Sequence, residues 1–467
     1  MAEQLTTDYL VIGGGAMGMA FADVLVTETD AHLTIVDRHH QPGGHWNDAY
    51  PFVRLHQPSL FYGVNSRELG SGAIDYNGWN KGLYELASGH EVCCYFDQVM
   101  QQQFLPSGRV QYYPMSEYVG DGRIRSLVSG KEFSVDAKKT VDATYMNVTV
   151  PSTREPGYRV ADGVDCLPPN ELPRVAGKFE RYVVVGAGKT AMDSCLFLLQ
   201  NTVDPARITW VMPRDSWLLD RAALQPGEFF HDSLGEFAAR QAEAIAAADS
   251  INDVLERVER SGFLIRFADE IWPTMYRCAT VTRAEFKQLK RINNVVRMGR
   301  VASINETGIV LDHGTIATTP TTLHIDCTAD GAERRPPSPV FAGNRITLQS
   351  VRTCQQVFSA ALIGHVESKD CDEQTKNEIC TPVPHPDTYV DFLRTSLTNY
   401  RNGVRWAQDP ELSGWIQDAR LNALNPRGAG DGERYDYLAR LHAALPQAIE
   451  NLERLLSASD NAESIER

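Results

Sequence analysis

The residues best suited to chemistry in this sequence are glycines near the amino terminus. Gly13, Gly15 and Gly18 form a Gly-x-Gly-x-x-Gly pattern directly after an apolar run and at the head of a stretch with helical spacing. In such a turn the first glycine permits a tight bend, the second lets the backbone approach a diphosphate, and the third lets the helix pack closely on the strand. The next amides, those of Ala16 and Met17, stand at the helix N-terminus, where free donors favour an anion. The pattern predicts a phosphate-binding turn.

An acidic residue stands at the end of the second predicted strand, where the ribose of a bound nucleotide needs a hydrogen-bond acceptor. Asp37 ends the second apolar strand, LTIVD, and Arg38 comes next. In dinucleotide-binding folds a carboxylate at this point accepts hydrogen bonds from the ribose diol. Strand, glycine turn, helix and acid in this order predict a Rossmann unit that binds a dinucleotide.

A second, weaker unit of the same kind lies in the middle of the chain. Gly186, Gly188 and Ala191 repeat the pattern with a small residue in the last place, and Lys189 and Thr190 stand within the turn. Lys189 is either a contact to the diphosphate or an ordinary exposed lysine.

The second strand of this unit, RITWVMPR, ends in Arg214 where the first unit has Asp37. A guanidinium at this point suits the extra phosphate of NADP, whereas a carboxylate would suit NAD. Asp215 follows at once, so NADP is favoured and NAD stays open. Two dinucleotide sites in one chain have a simple rationale, because one holds a flavin and the other admits its reductant. We therefore assign FAD to the first unit and NADP to the second.

The segment after Asp37 carries a resemblance to a known family. The string Gly43-Gly44-His45-Trp46, followed by Arg54-Leu55-His56, resembles the flavin-containing monooxygenases, including the Baeyer-Villiger type. The resemblance extends from residue 9 to Arg214 through the order of the two Rossmann units. It implies that Gly44, His45 and Trp46 lie along the flavin and that Arg54, His56 and Gln57 cross near its ring as candidate catalytic residues. A small organic substrate and dioxygen are the implied reactants.

One identifying string of that family is missing. Its oxygenating members carry Phe-x-Gly-x-x-x-His-x-x-x-aromatic ahead of the second Rossmann unit, and residues 154–180 do not contain it. Three functions therefore stay open: an NAD(P)H-dependent monooxygenase, a flavoprotein reductase or dehydrogenase without oxygen transfer, and a flavin-binding protein without catalysis. The monooxygenase is the leading hypothesis.

Composition excludes several other classes. A formal charge of -15 would repel a phosphate backbone and an anionic membrane surface, so we expect neither nucleic acid nor membrane as a partner. No basic flank precedes the first apolar run, which favours a cytoplasmic protein. Nine cysteines without a Cys-x-x-Cys pair predict reduced, mostly buried thiols, and no spacing of ligands predicts a metal site.

The predicted fold class is α/β, with two Rossmann-type domains and a helical C-terminal region. We expect the FAD-binding domain to be discontinuous, formed by residues 1–170 and 325–467. The NAD(P)H-binding domain, residues 178–324, interrupts it and carries a helical insertion near residues 229–261. The segment LHIDCTADG, residues 323–331, marks the expected return of the chain to the first domain.

Overall fold

The computed structural model describes residues 3–427 and 436–465, without the side chains of residues 3 and 461–465. Its strands, in chain order, are β1 (Glu3–Ile12), β2 (Leu33–Val36), β3 (Val110–Tyr113), β4 (Ser116–Gly120), β5 (Arg123–Ser126), β6 (Glu132–Asp142), β7 (Arg159–Val160), β8 (Cys166–Leu167), β9 (Arg181–Val185), β10 (Ile208–Val211), β11 (Ser216–Asp220), β12 (Leu264–Ile265), β13 (Met275–Val281), β14 (Asn294–Val296), β15 (Val301–Ile304), β16 (Gly308–Leu311), β17 (Gly314–Ala317), β18 (Thr322–Asp326), β19 (Phe341–Ala342) and β20 (Arg345–Thr347).

The α-helices are α1 (Ala16–Glu28), α2 (Gly89–Val99), α3 (Leu172–Val175), α4 (Lys189–Gln200), α5 (Glu236–Ala246), α6 (Ile251–Arg260), α7 (Arg283–Leu289), α8 (Gln356–Ser368), α9 (Glu373–Ile379), α10 (Tyr389–Ala407), α11 (Pro410–Asp418) and α12 (Tyr437–Ile465). None of these helices is both long and apolar enough to cross a membrane.

The first sheet is built around β1, which pairs in parallel with β2 on one side and β6 on the other. Its strand order is β19-β20-β6-β1-β2-β3, and β4 and β5 extend it through antiparallel pairing of β4 with β5 and of β5 with β6. Leu10 and Val11 are fully buried, as a central strand covered on both faces requires. Helices α1 and α8 pack against each other over this sheet. The predicted first Rossmann unit is confirmed.

The second sheet has the order β14-β10-β9-β18-β8, with its pairings parallel. It includes β18, which pairs with β9 along Thr322–Asp326 and Arg181–Val185. The expected return to the first domain at residue 325 therefore falls inside a strand of the second sheet, and the chain rejoins the first sheet only at β19. Five consecutive buried residues in β18 fit any parallel sheet, so local sequence could not indicate which one it joins.

Helices α5, α10 and α12 pack together into a separate helical layer. Helix α5 packs along α12, and α10 packs on α12. The buried side chains of this layer, among them Trp217, Leu255, Phe392 and Leu452, form one apolar cluster around the small sheet β12-β11-β13. The predicted helical insertion and helical C-terminal region are thus one packed body.

One expectation about cysteines is wrong. Cys278 in β13 and Cys354, just before α8, form a disulfide across 76 residues of chain, whereas the other seven cysteines are free thiols. The pairing depends on β13 meeting the loop before α8. That contact is tertiary, and cysteine spacing could not reveal it.

We expect Cys354→Ser to lower the free energy of unfolding by about 2–4 kcal/mol, because the crosslink restricts a long loop of the unfolded chain. Denaturant unfolding without reductant measures this, and Cys371→Ser, which removes a free thiol, is the matched control. Alkylation of the unfolded, unreduced protein should modify seven cysteines and spare Cys278 and Cys354. Modification of all nine would contradict the crosslink.

Candidate functional site

Both glycine turns open onto one cavity of about 1990 Å³. Most of the sequence-predicted site residues line it: Gly13, Gly15, Ala16, Met17, Asp37, Arg38, Gly44, His45, Trp46, Arg54, His56, Gln57, Gly186, Gly188, Lys189, Thr190 and Arg214. Gly18 and Ala191 do not line it. The fold therefore brings the two predicted nucleotide sites and the candidate catalytic segment to a common space.

The first turn has the geometry of a phosphate cradle. Gly13 adopts a φ of 103°, a conformation that favours glycine, and α1 begins directly after Gly15 without a side-chain cap. The amides of Ala16 and Met17 thus stand at an uncapped helix N-terminus that faces the cavity. A methyl group at Gly18 would collide with the carbonyl oxygen of Gly13, so Gly18 serves the close helix–strand contact.

The Gly-Gly-His-Trp segment packs directly on this turn. A Cβ at Gly44 would lie 3.0 Å from Cα of Gly15, so the two backbones are in close contact. His45 stacks on Trp46 with ring centroids 5.2 Å apart, and the Trp46 indole N–H donates to the Tyr62 hydroxyl at 2.8 Å. Burial lowers the pKa of His45 to about 4, so this imidazole is neutral at pH 7. The segment forms a flat aromatic wall of the cavity.

Asp37 is held by more partners than the sequence indicated. Its Oδ2 accepts from the Gly14 amide at 2.5 Å, and its Oδ1 accepts from the amide of His39 at 2.7 Å. The His39 ring bridges Asp37 and Asp48, with Nδ1 2.9 Å from Asp37 Oδ1 and Nε2 2.8 Å from Asp48 Oδ2. The hydrogen bond to Asp37 raises the pKa of His39 to about 9, against the opposing effect of burial and with the help of Asp48. An imidazolium at pH 7 thus orients the acid.

We expect the pH dependence of stability to report this imidazolium. Because the pKa of His39 rises to about 9 in the folded protein, its contribution is complete below the unfolded value of about 6.5 and is lost as pH rises through 9. Between pH 6.5 and 10, the wild type should lose on the order of 2 kcal/mol of unfolding free energy that His39→Gln does not lose. Urea unfolding across this range measures the difference. Parallel curves for the two proteins would contradict the assignment.

The second turn repeats the first with one difference. Gly186 adopts a φ of 137° and its Cβ position is blocked by the Cys327 carbonyl, whereas a Cβ at Gly188 would meet no atom within 4 Å. Gly188 therefore leaves open space at the uncapped N-terminus of α4. Ala191 is fully buried and serves helix packing.

Lys189 is not an ordinary exposed lysine. Its ammonium forms an ion pair with Asp193 one turn along α4, and the Tyr50 hydroxyl donates to the other oxygen of Asp193 at 2.7 Å. Lys189 lines the cavity in this paired state.

Arg214 belongs to a cluster of three guanidinium groups around Asp387, and a second carboxylate, Asp330, pairs with Arg277 and Arg334 of this cluster. Arg214 donates to both oxygens of Asp387 at 3.0 and 3.1 Å, Arg277 Nε donates at 2.7 Å, and Arg334 donates at 3.0 Å. Burial raises the pKa of Asp387, but the hydrogen bonds from Arg214 and Arg277 outweigh it and lower the pKa to about 2. Asp215 is buried away from this cluster against Arg297. The cluster keeps excess positive charge beside the end of β10.

The candidate catalytic residues Arg54, His56 and Gln57 line the same cavity as the two turns. Burial lowers the pKa of His56 to about 3, and the charges of Lys189 and Arg221 lower it further, so the imidazole is neutral at pH 7. Its Nδ1 is buried and has no hydrogen-bond partner among the described residues. Arg54 donates to the Leu86 carbonyl at 3.4 Å. Gln57 lines the cavity beside them.

Further residues belong to the candidate site. Tyr276 and Arg277 line the cavity as well. Asp387, the partner of Arg214, does not itself line the cavity, whereas Arg352 does. Neither carried a local signal, because each is a single charged residue in a loop. Within the described ranges, no group of three or more His, Cys, Asp or Glu side chains could hold a metal ion.

Comparison with known proteins places the chain among mycobacterial relatives. Residues 11–64 match the NAD(P)-binding Rossmann-like domain family. The chain is 57% identical over 424 residues to the uncharacterized protein Rv2000 of Mycobacterium tuberculosis, covering 91% of this chain and 79% of that protein. The uncharacterized protein Mb2023 of Mycobacterium bovis matches with the same identity and coverage. The chain belongs to the family of these proteins. The match at residues 11–64 confirms, for this member of the Rv2000 family, a dinucleotide-binding fold at the first glycine turn.

Solved structures of similar fold are more distant from this Rv2000-family member. A flavin-containing monooxygenase from Stenotrophomonas maltophilia is 16% identical, with 75% of this chain and 88% of that chain covered and a TM-score of 0.43. A steroid monooxygenase in its oxidized form bound to NADP is 13% identical, with 96% and 98% covered and a TM-score of 0.48.

Proposed function

We propose that this protein is an FAD-dependent oxidoreductase that uses NADPH, and that it is a monooxygenase acting on a small organic substrate. The observation that carries the proposal is that two glycine turns, each at an uncapped helix N-terminus, open onto the same cavity. A single phosphate-binding turn would support only a nucleotide-binding protein. Two turns on one cavity allow a reductant and a prosthetic group to meet.

The first unit fits FAD. Gly15 and Gly44 approach each other at a point where side chains would fill the space beside the turn. Ala16 and Met17 would hold the diphosphate, Asp37 the ribose, and the wall formed by His45 and Trp46 would lie along the flavin. When bound there, FAD supplies the capacity to accept a hydride and to pass electrons to dioxygen.

The second unit fits NADP. The open space at Gly188 and the amides of Lys189 and Thr190 suit a diphosphate, since a backbone without side chains can approach it closely. The three arginines Arg214, Arg277 and Arg334 keep more positive charge than Asp387 and Asp330 neutralise, which favours the extra phosphate of NADP over the bare ribose of NAD.

The chain's own residues would bind and orient the reactants and exclude water. Arg54, His56 and Gln57 line the cavity that both turns share, and the neutral His56 can hydrogen-bond a substrate oxygen without adding charge. The apolar helical layer shields the interior of the cavity from water.

The experiment is an anaerobic absorbance titration of the purified protein with NADPH and then NADH, followed by admission of air with candidate substrates. A yellow protein that NADPH bleaches more readily than NADH supports the proposal. Incorporation of one atom from labelled dioxygen into product then supports the monooxygenase. A colourless protein that cannot be reconstituted with FAD would overturn the proposal.

A second candidate is a reductase that passes electrons to an acceptor without oxygen transfer. The missing family string in residues 154–180 and a disulfide, Cys278–Cys354, that lines the same cavity favour it. Turnover of NADPH with an electron acceptor, and no label from dioxygen in any product, would select this function.

A further inference from the structure

Part of the cavity is lined by residues that belong to neither glycine turn. It is lined by side chains on and beside α5, α10 and α12, here called the helical lobe: Leu234, Phe237, Phe392, Tyr400, Leu441 and Leu445. The acidic residues of the cavity lining all come from the two Rossmann units: Asp37, Asp48, Glu117, Asp142, Asp193 and Asp330. Within the described part of the chain, the lining of the helical lobe is mainly apolar, with Gln241, Ser396 and Asn399 as uncharged polar residues, and it includes no carboxylate.

One cation borders this lobe. Arg352 precedes α8 and lines the cavity. The two residues that follow it in the chain are bonded to α10 and β13. The backbone N–H of Thr353 donates to Oδ1 of Asn399 in α10 at 3.0 Å, and Cys354 forms a disulfide with Cys278 of β13. The backbone around Arg352 is therefore fixed on both sides of the guanidinium.

The surroundings of Arg352 stabilise its position but do not neutralise its charge. The guanidinium carbon lies 4.2 Å from the ring centroid of Phe358 and 4.9 Å from that of Trp406, and Nη1 donates to Asn422 Oδ1 at 2.6 Å. Among the described residues no carboxylate lies within ion-pair distance of it. Burial lowers the pKa of Arg352 to about 9, with no acidic group to oppose the effect.

The guanidinium of Arg352 is partly buried and, among the described residues, has no carboxylate partner, so most of its donors remain for a ligand. A guanidinium carries five N–H donors, and one of those of Arg352 is used by a side chain. The planar fork of donors matches a carboxylate, which can accept two parallel hydrogen bonds. The two aromatic rings hold the plane of the guanidinium in one orientation, so little entropy is lost when the anion binds.

We propose that Arg352 binds the carboxylate of a substrate whose remaining part is apolar and fills the helical lobe. This inference rests on the proposed function, because it names the substrate class of the same cavity. Arg352 is a binding and specificity residue in this account. The hydroxyl of Tyr400, which stays protonated because burial raises its pKa, is a second donor in the lobe.

Calorimetric titration of the purified flavoprotein with matched acids and amides tests this inference. The probes are 4-phenylbutyrate, decanoate and their primary amides, which differ only in the charged end. We expect at least one acid to bind at least tenfold more tightly than its amide. Arg352→Met keeps a long side chain without charge and should reduce this preference to about one. Arg352→Lys, which keeps the charge without the fork, should give an intermediate preference.

Arg300→Met is the matched control, because Arg300 also lines the cavity, is exposed and lies outside the helical lobe. It should keep the preference of the wild type. The comparison of acids with amides on the wild type tests whether the site prefers a carboxylate, even if a variant does not fold. Equal binding of acids and amides, or a preference that survives Arg352→Met, would overturn the proposal. A yellow protein that NADPH reduces, but that binds acids and amides equally, would contradict this inference alone. A colourless protein that cannot take up FAD would contradict the proposed function.

Discussion

The Gly15→Val protein is expected to fold and to be isolated without FAD. Gly15 has an extended backbone, with a φ of -76° and a ψ of -177°, which valine adopts without strain. Its Cβ would lie 3.4 Å from Cα of Gly44, an ordinary contact, but the two methyl groups would occupy the space beside the uncapped α1 amides. A diphosphate could then no longer approach them. We expect FAD affinity to fall by two to three orders of magnitude, about 3–4 kcal/mol.

The measurement is the ratio of flavin to protein absorbance after purification and after incubation with excess FAD. Far-UV circular dichroism serves as the control for folding, and it should match the wild type. Full flavin occupancy in Gly15→Val would show that the first turn does not hold the diphosphate.

The corresponding change in the second unit should separate the two sites. Gly188 also has an extended backbone, with a φ of -87°, and a valine there meets no atom within 4 Å of its Cβ. Gly188→Val should therefore fold and keep its FAD. Its side chain would fill the space in front of the α4 amides, so NADPH should bind at least a hundredfold more weakly, roughly 3 kcal/mol.

Stopped-flow reduction under anaerobic conditions measures this as a rise in the NADPH concentration needed for half-maximal rate. Chemical reduction by dithionite provides the control, because it needs no nucleotide and should proceed as in the wild type. Unchanged reduction by NADPH would remove the second unit from the electron path, and loss of FAD from this variant would show that the two sites are not separate.

The local parts of the site were predictable because their physics is local. A tight turn, a close helix–strand contact and free helix amides all arise within a few consecutive residues, so Gly13, Gly15 and Gly18 indicated the first strand–turn–helix unit, and Gly186, Gly188 and Ala191 the second. The Gly-Gly-His-Trp string likewise lies against the first turn that precedes it.

Partners distant in the chain were decided only by the tertiary structure. Arg214 meets Asp387 across 173 residues, and Cys278 meets Cys354 across 76. Nothing in the sequence around either residue indicates the other, because such pairs form only when separate elements pack. The membership of β18 in the second sheet has the same origin, since a fully buried strand reads alike in any parallel sheet.

Two strand–turn–helix units and the glycines that build them could be read from the sequence, because backbone conformation at a turn depends on the residues of that turn. That both turns open onto one cavity, that His39 is protonated beside Asp37, and that Arg352 lines the cavity without an ion-pair partner among the described residues became apparent only from the folded chain. Electrostatic environment and burial are sums over all neighbours in space, and most of those neighbours are far away in the chain.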